Sequence, residues 1–355
     1  VCSSDLGDLV IPNFFQINNI NFSANYKPDP TGYEDEIQSI FASAELSWKN
    51  QLYLTVTGRN DWDSKLAFSK QKSFFYPSVG LSALLSEMVK LPEVISYAKI
   101  RGSYTVVASS FDRFLTNPGY EYNSQTHNWA NPTVYPMDNM KPEKTKSWEI
   151  GLNLKFWGNR FNLDATYYRS NTLNQTFKVD IPSSSGYKQA IVQAGNVQNQ
   201  GIELALGFSD KWAGFGWSSN ATFTLNRNKV KRLASGSVNP VTGEAIQMDE
   251  MNVGWLGKEN VAPRVILTEG GSMTDIYVYN QLTKDNNGNI KVDQNGNLGI
   301  TSSNTPVKVG NLDADFNLGW TNHFTYKGID LGVVLSARVG GLAYSATQGI
   351  LDYYG

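Results

Sequence analysis

Apolar and polar side chains alternate with a period of two through most of this chain, and that period predicts β-strands with one apolar face. Over 40–48, Ile40, Ala42, Ala44, Leu46 and Trp48 share one face, and Phe41, Ser43, Glu45 and Ser47 share the other. Beyond a polar turn at Lys49–Asn50, Leu52, Leu54 and Val56 alternate with Tyr53, Thr55 and Thr57. The same signature recurs over 78–83, 98–106, 147–156, 161–168, 202–208, 217–226, 316–326 and 329–339. It is cleanest where Trp148, Ile150, Leu152, Leu154 and Phe156 oppose Ser147, Glu149, Asn153 and Lys155. About ten strands result, several long enough to match the roughly 9–11 residues a tilted strand needs to cross a bilayer.

The connections predicted between them are unequal. Tight turns fall at 49–50, 157–159, about 209–215 and 327–328; long polar loops fall at roughly 58–74, 108–143, 170–198 and 228–263. Strict alternation of short turn and long loop is the topology of an outer-membrane barrel, with short turns periplasmic and long loops extracellular. Trp48, Trp148, Phe156, Trp157, Phe161, Tyr167 and Trp217 stand at strand ends, where interfacial aromatic girdles form. A soluble antiparallel sandwich also hides one face of each strand, but it rarely sustains strands this long with loops so lopsided. The pattern therefore predicts an all-β fold, an antiparallel transmembrane β-barrel.

Composition sharpens this reading. Charged residues make up only 17% and hydrophobic residues 41% of the 355, and Trp, Tyr and Phe number 9, 18 and 17. No stretch approaches the roughly 18 consecutive apolar residues of a membrane helix. A net charge of −2 gives no pull towards nucleic acid. One cysteine excludes a disulfide framework within the chain, and two histidines argue against a multi-histidine metal site. Val1–Leu6 fit nothing that follows and read as foreign to the protein, and an export signal is expected upstream of them.

Candidate sites are of two kinds. Glu45, Arg101, Glu149, Asp164 and Glu203, with Lys99 and Lys155, fall on the polar faces and would look into a lumen. They either form a substrate path or pair with one another and with a plug. The loop 111–136 gathers Phe111, Phe114, Tyr120, Tyr122, Asn123, Gln125, His127, Asn128, Trp129 and Tyr135. Aromatic faces stack on sugar rings and amides read hydroxyls, so Tyr120, Tyr122, His127, Trp129 and Tyr135 are the substrate-contact candidates, against ordinary loop packing. Asp285–Asn289 and Asp293–Asn297 hint at calcium, but neither carries the Glu of an EF-hand loop, and Asn-Gly turns explain them better. No nucleophile–base pair, phosphate loop or cofactor motif is present, so no enzymatic chemistry and no cofactor are expected.

Several segments carry a family likeness. Met140-Lys-Pro-Glu-Lys-Thr-Lys-Ser-Trp-Glu-Ile-Gly-Leu152, Leu163-Asp-Ala-Thr-Tyr-Tyr-Arg169 and Gly195-Asn-Val-Gln-Asn-Gln-Gly-Ile-Glu-Leu204 resemble strand signatures of the SusC/RagA-like TonB-dependent outer-membrane transporters. Tyr53–Trp62, Phe75–Val79, Lys99–Tyr104 and Tyr326–Leu331 add matches in the same order. The resemblance implies a 22-stranded barrel around an N-terminal plug, of which this chain would supply about 10–14 strands and no plug. Residues 1–36 would be an extracellular loop with a partial strand, 37–345 the barrel region and 346–355 its truncated continuation. It further implies import of a large nutrient, an oligosaccharide or a peptide, with a SusD-like lipoprotein and the TonB–ExbB–ExbD complex as partners. A siderophore or cobalamin receptor is the alternative within transport; a non-transporting barrel or a soluble carbohydrate-binding sheet is the alternative outside it.

Overall fold

A computed structural model of the protein describes residues 9, 11–15, 19, 33–123, 128–137, 140–234, 237–246, 248–257 and 262–354. Val1–Leu6 and His127 lie outside them. Ten long strands form one antiparallel sheet. They are β1 (Ile37–Trp48), β2 (Leu52–Asp63), β3 (Ser73–Leu84), β4 (Ile95–Ser109), β8 (Glu143–Phe156), β9 (Phe161–Asp180), β10 (Gln189–Trp212), β11 (Phe215–Arg232), β16 (Phe316–Tyr326) and β17 (Ile329–Val339). Each pairs with the next in that order, and short β7 (Val134–Tyr135) runs parallel to the start of β10.

Register separates two chemistries. One row across the sheet reads Trp48, Leu52, Ala83, Ile100, Leu152, Ala165, Leu204, Phe223, Leu318, Ala337. The adjacent row reads Ser47, Tyr53, Ser82, Arg101, Gly151, Thr166, Glu203, Thr224, Asn317, Arg338. The apolar row includes Ile100, Leu204 and Leu318, all exposed. That is the arrangement of a sheet with hydrocarbon outside and a polar lumen inside, since side chains one residue apart point to opposite faces. Backbone ladders link each strand to its neighbours across this band, as hydrocarbon requires.

Short turns close one end. The turns of Ala213 and Gly214 (φ 44° and 89°) and of Lys327 and Gly328 (φ 45° and 86°) hold two left-handed residues each, the twist that matches flanking strands. The turn predicted over 209–215 thus shrinks to 213–214, because both strands run to its edge. At this end an aromatic belt joins five strands through ring contacts: Phe156–Phe161 at 5.5 Å, Phe161–Phe208 at 4.8 Å, Phe208–Trp217 at 4.9 Å and Trp217–Phe324 at 6.2 Å. Trp148 and Tyr167 meet at 5.3 Å towards the opposite end. Eight residues separate Trp148 from Phe156, which in a strand tilted about 40° corresponds to roughly 20 Å of height, close to the ~25 Å apolar band of such barrels.

One polar pair interrupts the outer face. Ser219 and Asn322 are cross-strand neighbours in the row of Phe208 and Val333. Two indoles cover them: Trp217 Nε1 donates to Asn322 Oδ1 at 3.2 Å, and Trp320 Nε1 donates to Ser219 Oγ at 2.9 Å. Asn322 is only 3% exposed as a result.

The other end departs from the sequence reading. The stretch 170–198, predicted as a loop, is strand almost throughout, because β9 and β10 run 20 and 24 residues and leave only 181–188 between them. Their ladder is interrupted, with its register unchanged, where Asn174 (φ 63°) and Gly195 (φ 85°) turn left-handed, and beyond that point β10 is buried on both faces at Ala190, Ile191, Val192 and Ala194. Alternation stops there in β10 because both of its faces meet protein, whereas β9 keeps Lys178 and Asp180 exposed. Phe177, Val179, Ala190, Val192, Ala194, Val230, Leu233 and Leu267 form one core; Leu66, Phe74, Phe111, Met140 and Ile191 form a second on the far side of β10. The stretch predicted as a loop at 228–263 likewise holds the end of β11 and the first strand of a separate four-stranded sheet. That sheet comprises β12 (Glu250–Trp255), β13 (Arg264–Thr268), β14 (Asp275–Leu282) and β15 (Ile300–Asn311). A small hairpin, β5 (Glu121–Asn123) with β6 (Asn128–Ala130), lies in the 110–142 connection. A four-residue helix α1 (Leu85–Met88) follows β3, and 346–355, read as continuing the barrel, forms helix α2 (Ala346–Tyr354) instead.

Candidate functional site: lumen wall and extracellular cleft

On the lumen face, long polar side chains cross over glycines to reach the strand beyond. Arg101 on β4 lies across Gly151 on β8 and reaches Asp164 on β9 with two bonds, at 3.2 and 2.9 Å. Its Nη2 also donates to Thr166 Oγ1 at 2.6 Å, and Asn153 donates to the same Asp164 at 3.1 Å. A Cβ at position 151 would stand 2.6 Å from Arg101 Cζ, so only glycine leaves the guanidinium this path. Tyr168 on β9 crosses Gly201 on β10, and its hydroxyl bonds Asn226 Oδ1 on β11 at 3.2 Å. A Cβ at position 201 would stand 2.6 Å from that hydroxyl and closer still to the Leu225 carbonyl. Asn162 covers Gly207 in the same way.

Arg101 and Asp164 are therefore brought together as a satisfied pair, and Glu149 adds its negative charge to the surroundings of Arg101. Glu203 sits between Thr166 and Thr224 and acts electrostatically on Tyr168. Glu45 stands apart on β1, opposite Thr55. Lys155 lies over the Tyr97 ring at 5.6 Å. This is a braced, polar wall.

The aromatic candidates separate into three groups. Tyr135 meets Tyr187 edge-on at 5.2 Å and packs, half-buried, against the first core. Phe111 is buried in the second core. Tyr120 and Trp129 are 67% and 57% exposed. Tyr122 pairs with Trp129 across the β5–β6 hairpin through its backbone, and His127 lies outside the described residues. Tyr120 lines a cleft of about 480 Å³ with Arg113, Phe114, Leu115, Pro132 and Val134. Arg113 is set there by Asp35 at 3.5 Å and by the Tyr33 ring at 3.1 Å. Sequence reading missed Arg113, because nothing in the loop's local pattern announces a partner about eighty positions away.

The two Asp-Asn motifs are turns. Asp285 Oδ1 accepts from the backbone N–H of Asn287 and of Asn289 at 2.8 and 2.9 Å; Asp293 repeats this with Asn295 and Asn297, at 2.8 Å each. The side-chain amides of Asn289 and Asn297, with these N–H groups, hold both carboxyls below the usual carboxylate range. Among the described residues no group of three or more His, Cys, Asp or Glu could hold a metal ion.

Known proteins match this arrangement. A family model described as TonB dependent receptor-like, beta-barrel, covers residues 5–257. TonB-dependent receptor P3 of Formosa agariphila is 25% identical over 344 residues, which span 88% of this chain and 33% of that protein. TonB-dependent receptor SusC of Bacteroides thetaiotaomicron is 25% identical over 325 residues, spanning 86% of this chain and 31% of its own length. The solved structure of the RagAB peptide importer in its open-open state is similar with a TM-score of 0.66 at 17% identity, over 86% of this chain and 33% of that one, a likeness of fold. The chain thus spans about a third of the length of the proteins it matches. With a family match over more than half its length and the two-faced sheet such a match requires, the chain belongs to the TonB-dependent receptor β-barrel family, as a SusC/RagA-like stretch of outer-membrane barrel wall.

Proposed function

We propose that the intact protein imports a large nutrient across the outer membrane, an oligosaccharide in the first instance. The observation that carries this reading is the pairing of a polar, braced inner face with an exposed aromatic rim, where Tyr120 borders an apolar cleft and Trp129 stands on the neighbouring hairpin. Aromatic faces backed by hydroxyl and amide groups bind sugar rings with enough contact for capture and little enough for release. The TonB–ExbB–ExbD complex supplies the energy, and a SusD-like surface lipoprotein covers the mouth. A peptide is the second substrate class, favoured by the fold shared with a peptide importer and by the apolar lining of the cleft.

The test is uptake by cells carrying the full-length protein with Tyr120→Ala and Trp129→Ala, separately and together. The reading expects at least tenfold slower uptake of oligosaccharide in the double variant, with the barrel still folded in the outer membrane. Unchanged oligosaccharide uptake with slowed peptide uptake selects the peptide; unchanged uptake of both removes the rim from the transport path.

A further inference from the structure

The four-stranded extracellular sheet carries an arginine prepared for an anion. Arg264 opens β13 and is the register partner of Trp255 on β12 and Tyr277 on β14. Its guanidinium lies over the Trp255 ring at 3.5 Å and over the Tyr279 ring at 4.9 Å, and Nη1 donates to the Tyr279 hydroxyl at 3.5 Å. Its Nε is buried and has no hydrogen-bond partner. Five other arginines meet aspartates: Arg59 with Asp61, Arg101 with Asp164, Arg113 with Asp35, Arg160 with Asp210 and Arg227 with Asp315. Among the described residues no carboxylate pairs with Arg264. The side chain instead borders a cleft of about 370 Å³ closed by Pro263, Val278 and Asn280.

Two aromatic walls fix a guanidinium in its plane and remove most of the rotamer entropy that an anion would otherwise have to freeze. Its two terminal nitrogens form a flat fork, which fits the two oxygens of a carboxylate. The geometry points to a carboxylate-recognition site in the Trp255–Arg264–Tyr279 cleft, taking the acid group of a uronic-acid sugar or of a peptide C-terminus. This deepens the reading of the chain as a nutrient importer and rests on it: the cargo, or one end of it, is acidic.

Binding is measured by calorimetry on the full-length receptor in detergent, with two matched pairs of probes. Digalacturonic acid is compared with its methyl ester, and trialanine with its C-terminal amide. In one pair the acid binds at least tenfold more tightly than its neutral partner, the loss expected for one charge-assisted hydrogen-bonded contact. Arg264→Gln removes that preference, and Arg264→Lys, which keeps the charge and stem, retains part of it. The pair that responds names the source of the carboxylate. The inference is overturned if acid and neutral probes bind alike, if none binds, or if Arg264→Gln keeps the preference. Uptake is assayed separately, so acid binding without uptake defeats the importer reading, and uptake without acid preference defeats this site alone.

Discussion

Glycine at position 201 is the sharpest test of the braced wall. Gly201→Ala places a Cβ 2.6 Å from the Tyr168 hydroxyl and closer to the Leu225 carbonyl, where carbon contacts settle at about 3.5 Å. Each neighbour must retreat by roughly 1 Å. Tyr168 can swing away only by giving up Asn226, at about 0.5–1.5 kcal/mol. The Leu225 carbonyl cannot swing at all, because it belongs to the chain that pairs Ile202 with Leu225, so β10 and β11 must spread at an overpacking cost of about 1–3 kcal/mol. Against this stands the ordinary gain of about 0.5–1 kcal/mol when a strand glycine becomes alanine. Gly80 supplies the control, since a Cβ there meets nothing within 4 Å. Gly80→Ala should therefore stabilise by that gain alone, and Gly201→Ala should destabilise by about 1–3 kcal/mol, a gap of about 1.5–4 kcal/mol. Urea unfolding of the full-length barrel in detergent micelles, followed by tryptophan fluorescence and by heat-modifiable gel mobility, measures both. If Gly201→Ala is as stable as Gly80→Ala, side chains do not cross at glycines and the wall is not braced this way.

Three further outcomes follow from the same structure. Tyr135→Ala should cost about 2–3 kcal/mol of thermal stability, because it empties an edge of the extracellular core, whereas Tyr120→Ala should change stability by less than about 0.5 kcal/mol. Asn322→Leu strips Trp217 Nε1 of its acceptor on the outer face and should destabilise by about 1–3 kcal/mol; a variant as stable as the parent would show that the indole finds an equal partner elsewhere. The hydrogen-bonded Asp285 and Asp293 carboxyls titrate lower when folded than when unfolded, so their contribution to loop order is complete above about pH 4 and fades as the pH falls through the lowered values. NMR titration checks this, and ordinary carboxylate midpoints at both residues would count against the turn geometry.

The membrane part of the wall was legible in the sequence because each strand there meets two different solvents. Ile150, Leu152 and Leu154 touch hydrocarbon while Glu149 and Asn153 touch water, and that contrast writes a period of two directly into the chain. Past Gly195 the contrast ends: Ala190, Ile191 and Val192 are all buried, between two cores. With no polar face to alternate against in that part of β10, and only Phe177 and Val179 set against Lys178 and Asp180 in β9, 170–198 read as a connection though most of it is strand. The glycines of the family-like segments, Gly151 and Gly201, were visible as letters; their reason is a neighbour's side chain, which no local pattern contains. Arg264 was silent for the same reason, since its aromatic walls come from two other strands.

The unequal strand lengths give this stretch of wall an uneven rim. β1, β2 and β3 stop after 12 residues each, while β9, β10 and β11 continue to 20, 24 and 18. At about 3.4 Å per residue, β10 measures roughly 80 Å along its axis and in a tilted barrel rises well past the ~25 Å apolar band. Along this stretch of wall the rim is thus a palisade on one side and a low sill on the other. Any body resting across this stretch of wall would sit aslant, tipped by geometry away from the tall strands.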